Sequence, residues 1–235
     1  MSKKISIILC TYNEVNYIES AIQLIYETLD SVDIIIVDDN SKDGTLEKLD
    51  KLKSKFNFNL IVRKNERGLA SAQKRGFEAS TGDYVGTIDV NSSDQILIFP
   101  ELISKLDSGY DLASLSRYIE GGGDQRIFLR SFASKLINLI SKFFLRISFN
   151  DFTSGIFLMK RELLKPLNEI ITGYSEWFIE FIYILNKRKF KMAEVPYIQK
   201  QDEKSIDSKS YPNIFTFFYL GSKYFLRVLV TLFRN

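Results

Sequence analysis

The chain has 235 residues, 45% of them hydrophobic and 26% charged, which is typical of one folded domain with a sizeable core. Its net charge of +3 is too small to indicate nucleic acid as a partner. It contains no histidine and one cysteine, Cys10, which excludes a histidine base, a histidine- or cysteine-based metal centre and an intrachain disulfide. The available chemistry is therefore that of carboxylates, amines, guanidinium groups, hydroxyls and bound hard cations.

Short apolar runs alternate with amphipathic stretches through the first half of the chain. We predict strands at residues 5–10, 34–37, 60–62 and 84–88, and helices between them at 15–29, 45–56 and 70–79. Strands this apolar are buried on both faces, and their alternation with helices is typical of βαβ units. The sequence therefore predicts an α/β, Rossmann-like fold with a mostly parallel central sheet.

Polar segments that carry acidic residues follow three of these strands. They are residues 11–14 (Thr-Tyr-Asn-Glu), 38–41 (Asp-Asp-Asn-Ser) and 89–91 (Asp-Val-Asn). Ligands of such sheets bind outside the carboxyl ends of the strands, so these segments predict a binding site. Asp, Asn and Ser also form turns and helix caps. Two adjacent acids directly at a strand end are harder to explain in that way, and they suit ribose hydroxyls or a base edge.

The second half has a looser pattern. Helices are predicted near residues 100–106, 132–147, 175–185 and 214–233, with a strand near 112–115, a glycine loop at 121–123 and a turn at 151–155. Arg117, Arg126 and Arg130 flank the glycine loop. Arginines beside such a loop suit bidentate binding of phosphate, although a solvated loop with ordinary surface charge has the same composition.

Two of these helices combine a basic stripe with a broad apolar face. In the helix at 132–147 the stripe consists of Lys135, Lys142 and Arg146, and the face of Phe132, Leu136, Leu139, Ile140, Phe143 and Ile147. The last helix carries the stripe Lys223, Arg227 and Arg234. Packing on the domain is one interpretation. We favour a second one, in which both helices lie in a membrane interface.

The ordered motifs of the chain resemble those of the inverting GT-A glycosyltransferases of family two, and within them the dolichol-phosphate mannosyltransferase-like (polyprenyl-phosphate glycosyltransferase) group. The matching segments are residues 11–14, 36–45, 81–85, 116–122, 151–155, 194–196 and 208–209. Each is weak alone, but their order identifies the chain as a member. The resemblance implies a GT-A catalytic domain at residues 1–210, which includes the helix at 132–147. A membrane-interface helix is predicted at 211–235.

The resemblance also implies roles for individual residues. The donor nucleotide sugar would be bound by Cys10, Tyr12, Glu14, Val37, Asp39, Val90 and Lys209, with Lys209 closing over the diphosphate. Asp89 would be the main ligand of a Mg²⁺ or Mn²⁺ ion, and Arg117 and Arg130 would contact donor or acceptor phosphate. An ionised acceptor phosphate would attack the anomeric carbon in line and displace a nucleoside diphosphate, so no strong general base is required.

The predicted cation site departs from the pattern of the group, which is Asp-x-Asp followed by Leu-Gln. Asn91 replaces the second acid and Ser93 replaces the glutamine. An amide oxygen still binds a hard cation, but one negative charge is lost, so weaker cation binding is expected. Asp94 is the predicted compensating ligand. The segment at residues 201–204 (Gln-Asp-Glu-Lys) also replaces the arginine-rich stretch usual before the closing Ser-Lys.

The leading expectation is inverting transfer of a hexose from a nucleotide sugar of the GDP-mannose or UDP-glucose type to a polyprenyl phosphate. The protein would be peripheral, at the cytoplasmic face of the inner membrane, with no nucleic-acid partner. Two alternatives stay open. One is transfer to a sugar hydroxyl in polysaccharide or lipopolysaccharide assembly, with Asp94 or Asp151 as the base. The other is a catalytically weak homologue that binds nucleotide or lipid as a partner subunit.

Overall fold

A computed structural model describes residues 3–201 and 214–234 of the chain. Its strands are β1 (Ile5–Thr11), β2 (Val32–Asp38), β3 (Phe58–Val62), β4 (Tyr84–Thr87), β5 (Leu112–Ser116), β6 (Gly123–Asp124), β7 (Phe157–Lys160), β8 (Met192–Pro196) and β9 (Ile198–Gln199). Its α-helices are α1 (Ile18–Thr28), α2 (Thr45–Leu52), α3 (Leu69–Ala79), α4 (Phe99–Asp107), α5 (Phe128–Leu145), α6 (Leu164–Asn168), α7 (Trp177–Lys187) and α8 (Ile214–Arg234). Two 3₁₀ segments, Val90–Ile98 and Arg161–Leu163, precede α4 and α6.

The main sheet has the strand order β3-β2-β1-β4-β7-β5-β8. Strands β1 to β4 are parallel, and so are β5 and β8, whereas β7 runs antiparallel to both of its neighbours. The prediction of a mostly parallel α/β sheet is confirmed. The sequence did not predict that β7 runs antiparallel, because the spacing of apolar residues indicates which side chains are buried and not the direction of a strand in the sheet.

Two apolar cores lie on opposite faces of this sheet, because successive side chains of a strand point to opposite sides. Ile7 of β1 packs in the core on one face and Ile8 in the core on the other. On the Ile8 side, α3 approaches closely at Gly76, where a Cβ atom would lie 2.5 Å from Ile8 Cγ2. The aromatic cluster around Trp177 completes that core and attaches α7.

Helix α5 presents a largely uncovered apolar face to solvent. Its exposed members are Phe128, Leu129, Phe132, Leu136, Leu139, Phe143 and Phe144. The predicted face included Ile147, and the structure corrects this. The helix ends at Leu145, Arg146 adopts a left-handed conformation (φ 54°), and Ile147 lies beyond the helix in the core. Ile140 is half-buried, so the exposed face is centred on the side that carries Phe128 and Phe143.

Helix α8 packs against α5 and α7. Two members of its predicted basic stripe form ion pairs with the domain, Arg227 with its side chain largely buried and Arg234 with its side chain half exposed. Arg227 Nη1 lies 2.9 Å from Glu180 Oε2, and Arg234 Nη1 lies 3.6 Å from Glu180 Oε1, with the Glu180 side chain fully buried. Only Lys223 lies elsewhere, over the ring of Tyr219. Among the helices of the described ranges, none is both long enough and apolar enough to cross a bilayer.

Candidate functional site

The ends of β1 and β2 meet through Asp38. Its buried carboxylate accepts hydrogen bonds from Thr11 Oγ1 at 2.7 Å, Ser41 N at 2.8 Å and Ser41 Oγ at 2.6 Å. These bonds fix the turn that follows β2 and occupy the carboxylate. Asp38 therefore has the role of a turn residue, and the acid predicted to bind the donor is its neighbour Asp39.

Asp39 lies beside two groups that were not singled out in the sequence. Arg63 Nε donates to Asp39 Oδ1 at 2.7 Å, with Nη2 on the same oxygen, and Gly68 N donates to Oδ2 at 2.8 Å. The side chains of Asp39 and Arg63 are both almost completely buried. The sequence did contain one indication of a role for Arg63, because it is an arginine that directly follows an apolar strand. The ion pair anchors the segment between β3 and α3 at the predicted nucleoside pocket.

The other residues predicted to bind the donor lie around this point. Tyr12 and Glu14 are half-buried in the loop after β1, and the Arg67 guanidinium carbon lies 3.8 Å from the centre of the Tyr12 ring. Val37 is fully buried and packs beneath Cys10, whose pKa is raised by burial. A thiol with a raised pKa is un-ionised, so Cys10 acts here as a small apolar group.

The predicted cation segment follows β4. Asp89 and Asn91 are exposed, while Val90 between them is buried in the core. Asp94 is also exposed, but Lys200 Nζ lies 2.9 Å from its Oδ2. Within the described ranges, no three Cys, Asp or Glu side chains come together in one cluster. One carboxylate and one amide oxygen, both open to solvent, still provide the oxygen donors that Mg²⁺ and Mn²⁺ prefer.

Arg117, predicted to contact phosphate, lies instead in a buried ion pair with Asp151. Nε and Nη2 of Arg117 donate to the two oxygens of Asp151, each at 2.7 Å, and the backbone N of Arg117 adds a third bond at 3.0 Å. Burial alone would raise the pKa of Asp151, but the Arg117 guanidinium holds it below its ordinary value. Asp151 is thus a poor proton acceptor, which argues against its predicted alternative role as a base.

The Arg117–Asp151 pair connects several loops around the site. Arg117 also donates to Gln199 Oε1 at 3.1 Å and to Thr153 Oγ1 at 2.7 Å, and Arg117 Nη1 lies 3.8 Å from Asp124 Oδ2. These contacts reach β6, β9 and the turn before β7. The guanidinium is directed at protein acceptors, so Arg117 determines the shape of the site.

A cavity of about 90 Å³ lies beside this network, between α5 and α8. Its lining consists of Arg126, Arg130, Ala133, Ser134, Ile137, Thr153, Gly221 and Tyr224. Arg126 is held by Asp124 through Nε–Oδ1 at 2.9 Å and Nη2–Oδ2 at 2.6 Å. The structure therefore places Arg126 and Arg130 together in the lining of one cavity. Lys209, predicted to close the site, lies outside the described residues.

The backbone of the turn at residues 151–155 is fixed by hydrogen bonds to the side chains of Glu194 and Asn138. Glu194 Oε1 accepts the backbone N–H of Asp151 at 3.0 Å, and Asn138 Oδ1 accepts that of Phe152 at 2.7 Å. Ser134 Oγ and Thr153 Oγ1 lie 2.8 Å apart. The motifs around Asp151 and Glu194 are thereby one structural unit, and this unit forms one wall of the cavity.

Comparisons with known proteins agree with this architecture. Residues 6–167 match the model of the glycosyl transferase family 2. The dolichol-phosphate mannosyltransferase of Pyrococcus furiosus is 32% identical over 88% of this chain and 60% of its own length, so the chain spans less than two thirds of that relative. The polyprenol monophosphomannose synthase of Mycolicibacterium smegmatis is 27% identical over 88% of this chain and 82% of its own.

A solved structure with the same fold is glucosyl-3-phosphoglycerate synthase of Mycobacterium tuberculosis, in complex with Mn²⁺, UDP and phosphoglyceric acid. It superimposes with a TM-score of 0.76 at 19% identity and covers 98% of this chain and 79% of its own. At this identity the likeness concerns the fold, which is that of GT-A enzymes.

Proposed function

The chain belongs to glycosyl transferase family 2, and from that membership we propose that it transfers a hexose from a nucleotide sugar to a polyprenyl phosphate. The observation that carries the choice of acceptor is the cavity between α5 and α8. Arg126 and Arg130 line it together with apolar Ala133 and Ile137. This combination suits a phosphate attached to an apolar chain. The guanidinium groups bind the phosphate, and the apolar side chains contact the polyprenyl chain next to it.

The names of the relatives support the same acceptor class. The two relatives described above are named dolichol-phosphate mannosyltransferase and polyprenol monophosphomannose synthase. The donor could carry guanine or uracil, and the sugar could be mannose or glucose. The hydroxyl-acceptor alternative would need a base. Asp151 is buried against Arg117, and Asp94 is paired with Lys200, so neither carboxylate favours it.

We propose the following roles in the reaction. Tyr12, Glu14 and Asp39 bind the nucleoside, with Cys10, Val37 and Val90 forming the apolar floor of its pocket and Lys209 closing over the diphosphate. Asp89 and Asn91, with Asp94 if it releases Lys200, hold a divalent cation that offsets negative charge on the leaving diphosphate. Arg130 binds the acceptor phosphate, whose oxygen attacks the anomeric carbon with inversion. Arg117 holds the wall that orients that phosphate.

We also propose that α5 and α8 attach the protein to the cytoplasmic face of the membrane that contains the lipid. The side chains of Phe128 and Phe143 are 81% and 74% exposed. Apolar surface of this extent is unfavourable in water and favourable in the acyl boundary of a bilayer. Lys135 and Lys142 are exposed on the same helix, where they suit anionic lipid headgroups. The cavity mouth would then open beside the lipid.

The activity is tested by incubating the protein with a short-chain polyprenyl phosphate and labelled GDP-mannose or UDP-glucose, with Mg²⁺, Mn²⁺ or EDTA. We expect cation-dependent transfer of label into the organic phase, in a linkage labile to mild acid. Arg130→Ala should lower kcat/KM for the lipid about 10- to 100-fold, because it removes a charge-assisted hydrogen bond, and leave KM for the donor unchanged.

Lys105→Ala is the control, since it removes one positive charge from the exposed side of α4, a helix that lines neither the cavity nor the proposed membrane surface. An acid-stable glycoside product would contradict the phosphate acceptor and establish transfer to a hydroxyl. If the folded protein transfers no sugar from either donor, it is an inactive homologue that binds nucleotide or lipid.

Membrane attachment is tested by co-sedimentation with vesicles of phosphatidylcholine and phosphatidylglycerol. Replacing Phe128 and Phe143 together with serine should weaken vesicle binding at least about 10-fold, since each phenylalanine contributes roughly 1.5–3 kcal/mol when its surface leaves water. Leu97→Ser is the control, because Leu97 is 58% exposed but lies in the 3₁₀ segment before α4. Equal binding of the double variant and the wild type would show that this face is not the attachment surface.

A further inference from the structure

Arg67 has no role in any motif of the sequence, yet it is held in a defined position at the predicted nucleoside pocket. Its guanidinium carbon lies 3.8 Å from the centre of the Tyr12 ring, which is the separation of a stacked cation–π pair. Within residues 3–201 and 214–234, Arg67 forms no ion pair with a carboxylate. Its charge and its second face are therefore available to a ligand.

The backbone beside Arg67 is fixed by Asp39, which belongs to the same pocket. Gly68 N donates to Asp39 Oδ2 at 2.8 Å, and Arg63 Nη2 donates to Gly68 O at 3.0 Å. Gly68 has φ of 133°, in the region that favours glycine, so the chain turns at this point without strain. A group that binds near Asp39 thus meets Arg67 in a position determined by the protein.

The Arg67 side chain is exposed, as are residues 64–66 before it. Arg63, four residues earlier, is buried in its ion pair with Asp39, whereas Arg67 is exposed to solvent. The two arginines of this short segment consequently serve different purposes. Arg63 neutralises Asp39, and Arg67 presents a flat cation above Tyr12.

We propose that Arg67 stacks on the nucleobase of the donor, with Tyr12 supporting the inner face of its guanidinium and the base lying on the outer face. This inference rests on the proposed function, because it assigns a contact within the proposed donor pocket. A guanidinium is planar and weakly hydrated, and it stacks on the π-face of any base. Stacking of this kind holds guanine and uracil alike, with a larger overlap for the purine.

The test is calorimetric titration of GDP and of UDP into the wild type, Arg67→Ala, Arg67→Lys and Arg75→Ala, with Mg²⁺ present. Arg75 is the matched control, since it is an exposed arginine on α3 paired with Glu78. We expect Arg67→Ala to weaken the nucleotide that the wild type binds about 5- to 20-fold, a loss typical of one stacked base. Arg67→Lys should show most of the same loss, because it retains the charge but not the plane.

Unchanged affinity in Arg67→Ala would overturn the inference. Wild-type affinity in Arg67→Lys would also overturn it, because charge alone would then explain the contact. If the folded wild type binds neither GDP nor UDP, the proposed function itself fails, and the stacking role fails with it. Loss of affinity in Arg75→Ala to the same extent would indicate a general effect of surface charge and would equally contradict the proposal.

Discussion

Replacing Asp89 with alanine is expected to lower sugar transfer at least about 100-fold without unfolding the protein. Asp89 is exposed at the end of β4, so the substitution removes no core contact. It does remove the only carboxylate of residues 89–91, whose charge would hold the cation that stabilises the leaving diphosphate. Transfer is measured with the donor and lipid described above, and folding by circular dichroism and Tm.

Asp50→Ala provides the comparison, because it removes an equally negative but highly exposed side chain on α2. Full activity of the Asp89 variant would remove this residue from the proposed mechanism. A companion substitution acts in the opposite direction. Asn91→Asp restores a second negative charge next to Asp89, and it should lower the Mg²⁺ concentration at which transfer is half-maximal.

Replacing Asp151 with asparagine is expected to destabilise the protein more than any surface substitution. The change removes the nearer of the two carboxylates beside the buried Arg117 guanidinium and leaves only Asp124 at 3.8 Å, which costs about 3–5 kcal/mol. For a domain of this size, the corresponding decrease in Tm is roughly 6 to 20 °C. Lys53→Ala breaks an exposed ion pair with Asp50 and should change Tm only slightly. A Tm of Asp151→Asn close to that of the wild type would contradict the proposed contribution of the Arg117–Asp151 ion pair to stability.

The same variant has a pH signature. The pKa of Asp151 is lowered in the folded protein, so its stabilising contribution is complete above the unfolded value of about 3.9 and is lost as pH falls through the folded value. The difference in unfolding free energy between the wild type and Asp151→Asn should therefore be constant near neutral pH and shrink below about pH 4. A difference that stays constant through this acid range would show that packing, and not charge, is responsible.

The parts of the fold that depend on local pattern could be predicted from the sequence. The alternation of apolar strands and helices placed the parallel half of the sheet, and the acids at the strand ends placed Asp39 and Asp89 at one edge. The partner of Arg117 could not be predicted, because Asp151 lies on a turn 34 residues away and only tertiary packing brings the two together. The same is true of Arg227. Its position in a basic stripe is typical of a lipid-facing surface, but only the folded structure shows that its side chain binds Glu180.

Ile147 shows a different limit. It continues the apolar period of α5, and nothing in that period marks the point where the helix stops. The boundary is set by Arg146 in a left-handed conformation, which turns the chain so that the next side chain enters the core. The roles of Asn91 and Ser93 depend on the donor as well as on the chain. The sequence shows that these two residues differ from the family pattern, and measuring transfer as a function of cation concentration would show what the difference does.

The pairing of Glu180 with Arg227 and Arg234 has a consequence for how the molecule unfolds. A fully buried carboxylate is stable only while its counter-charges are present, and here they come from the last helix. Detaching α8 would remove both of these arginines from a buried carboxylate, so the detached state is disfavoured. Helix α8 and the sheet-bearing domain are therefore expected to unfold as one cooperative unit, because Glu180 on α7 is paired with both arginines of α8.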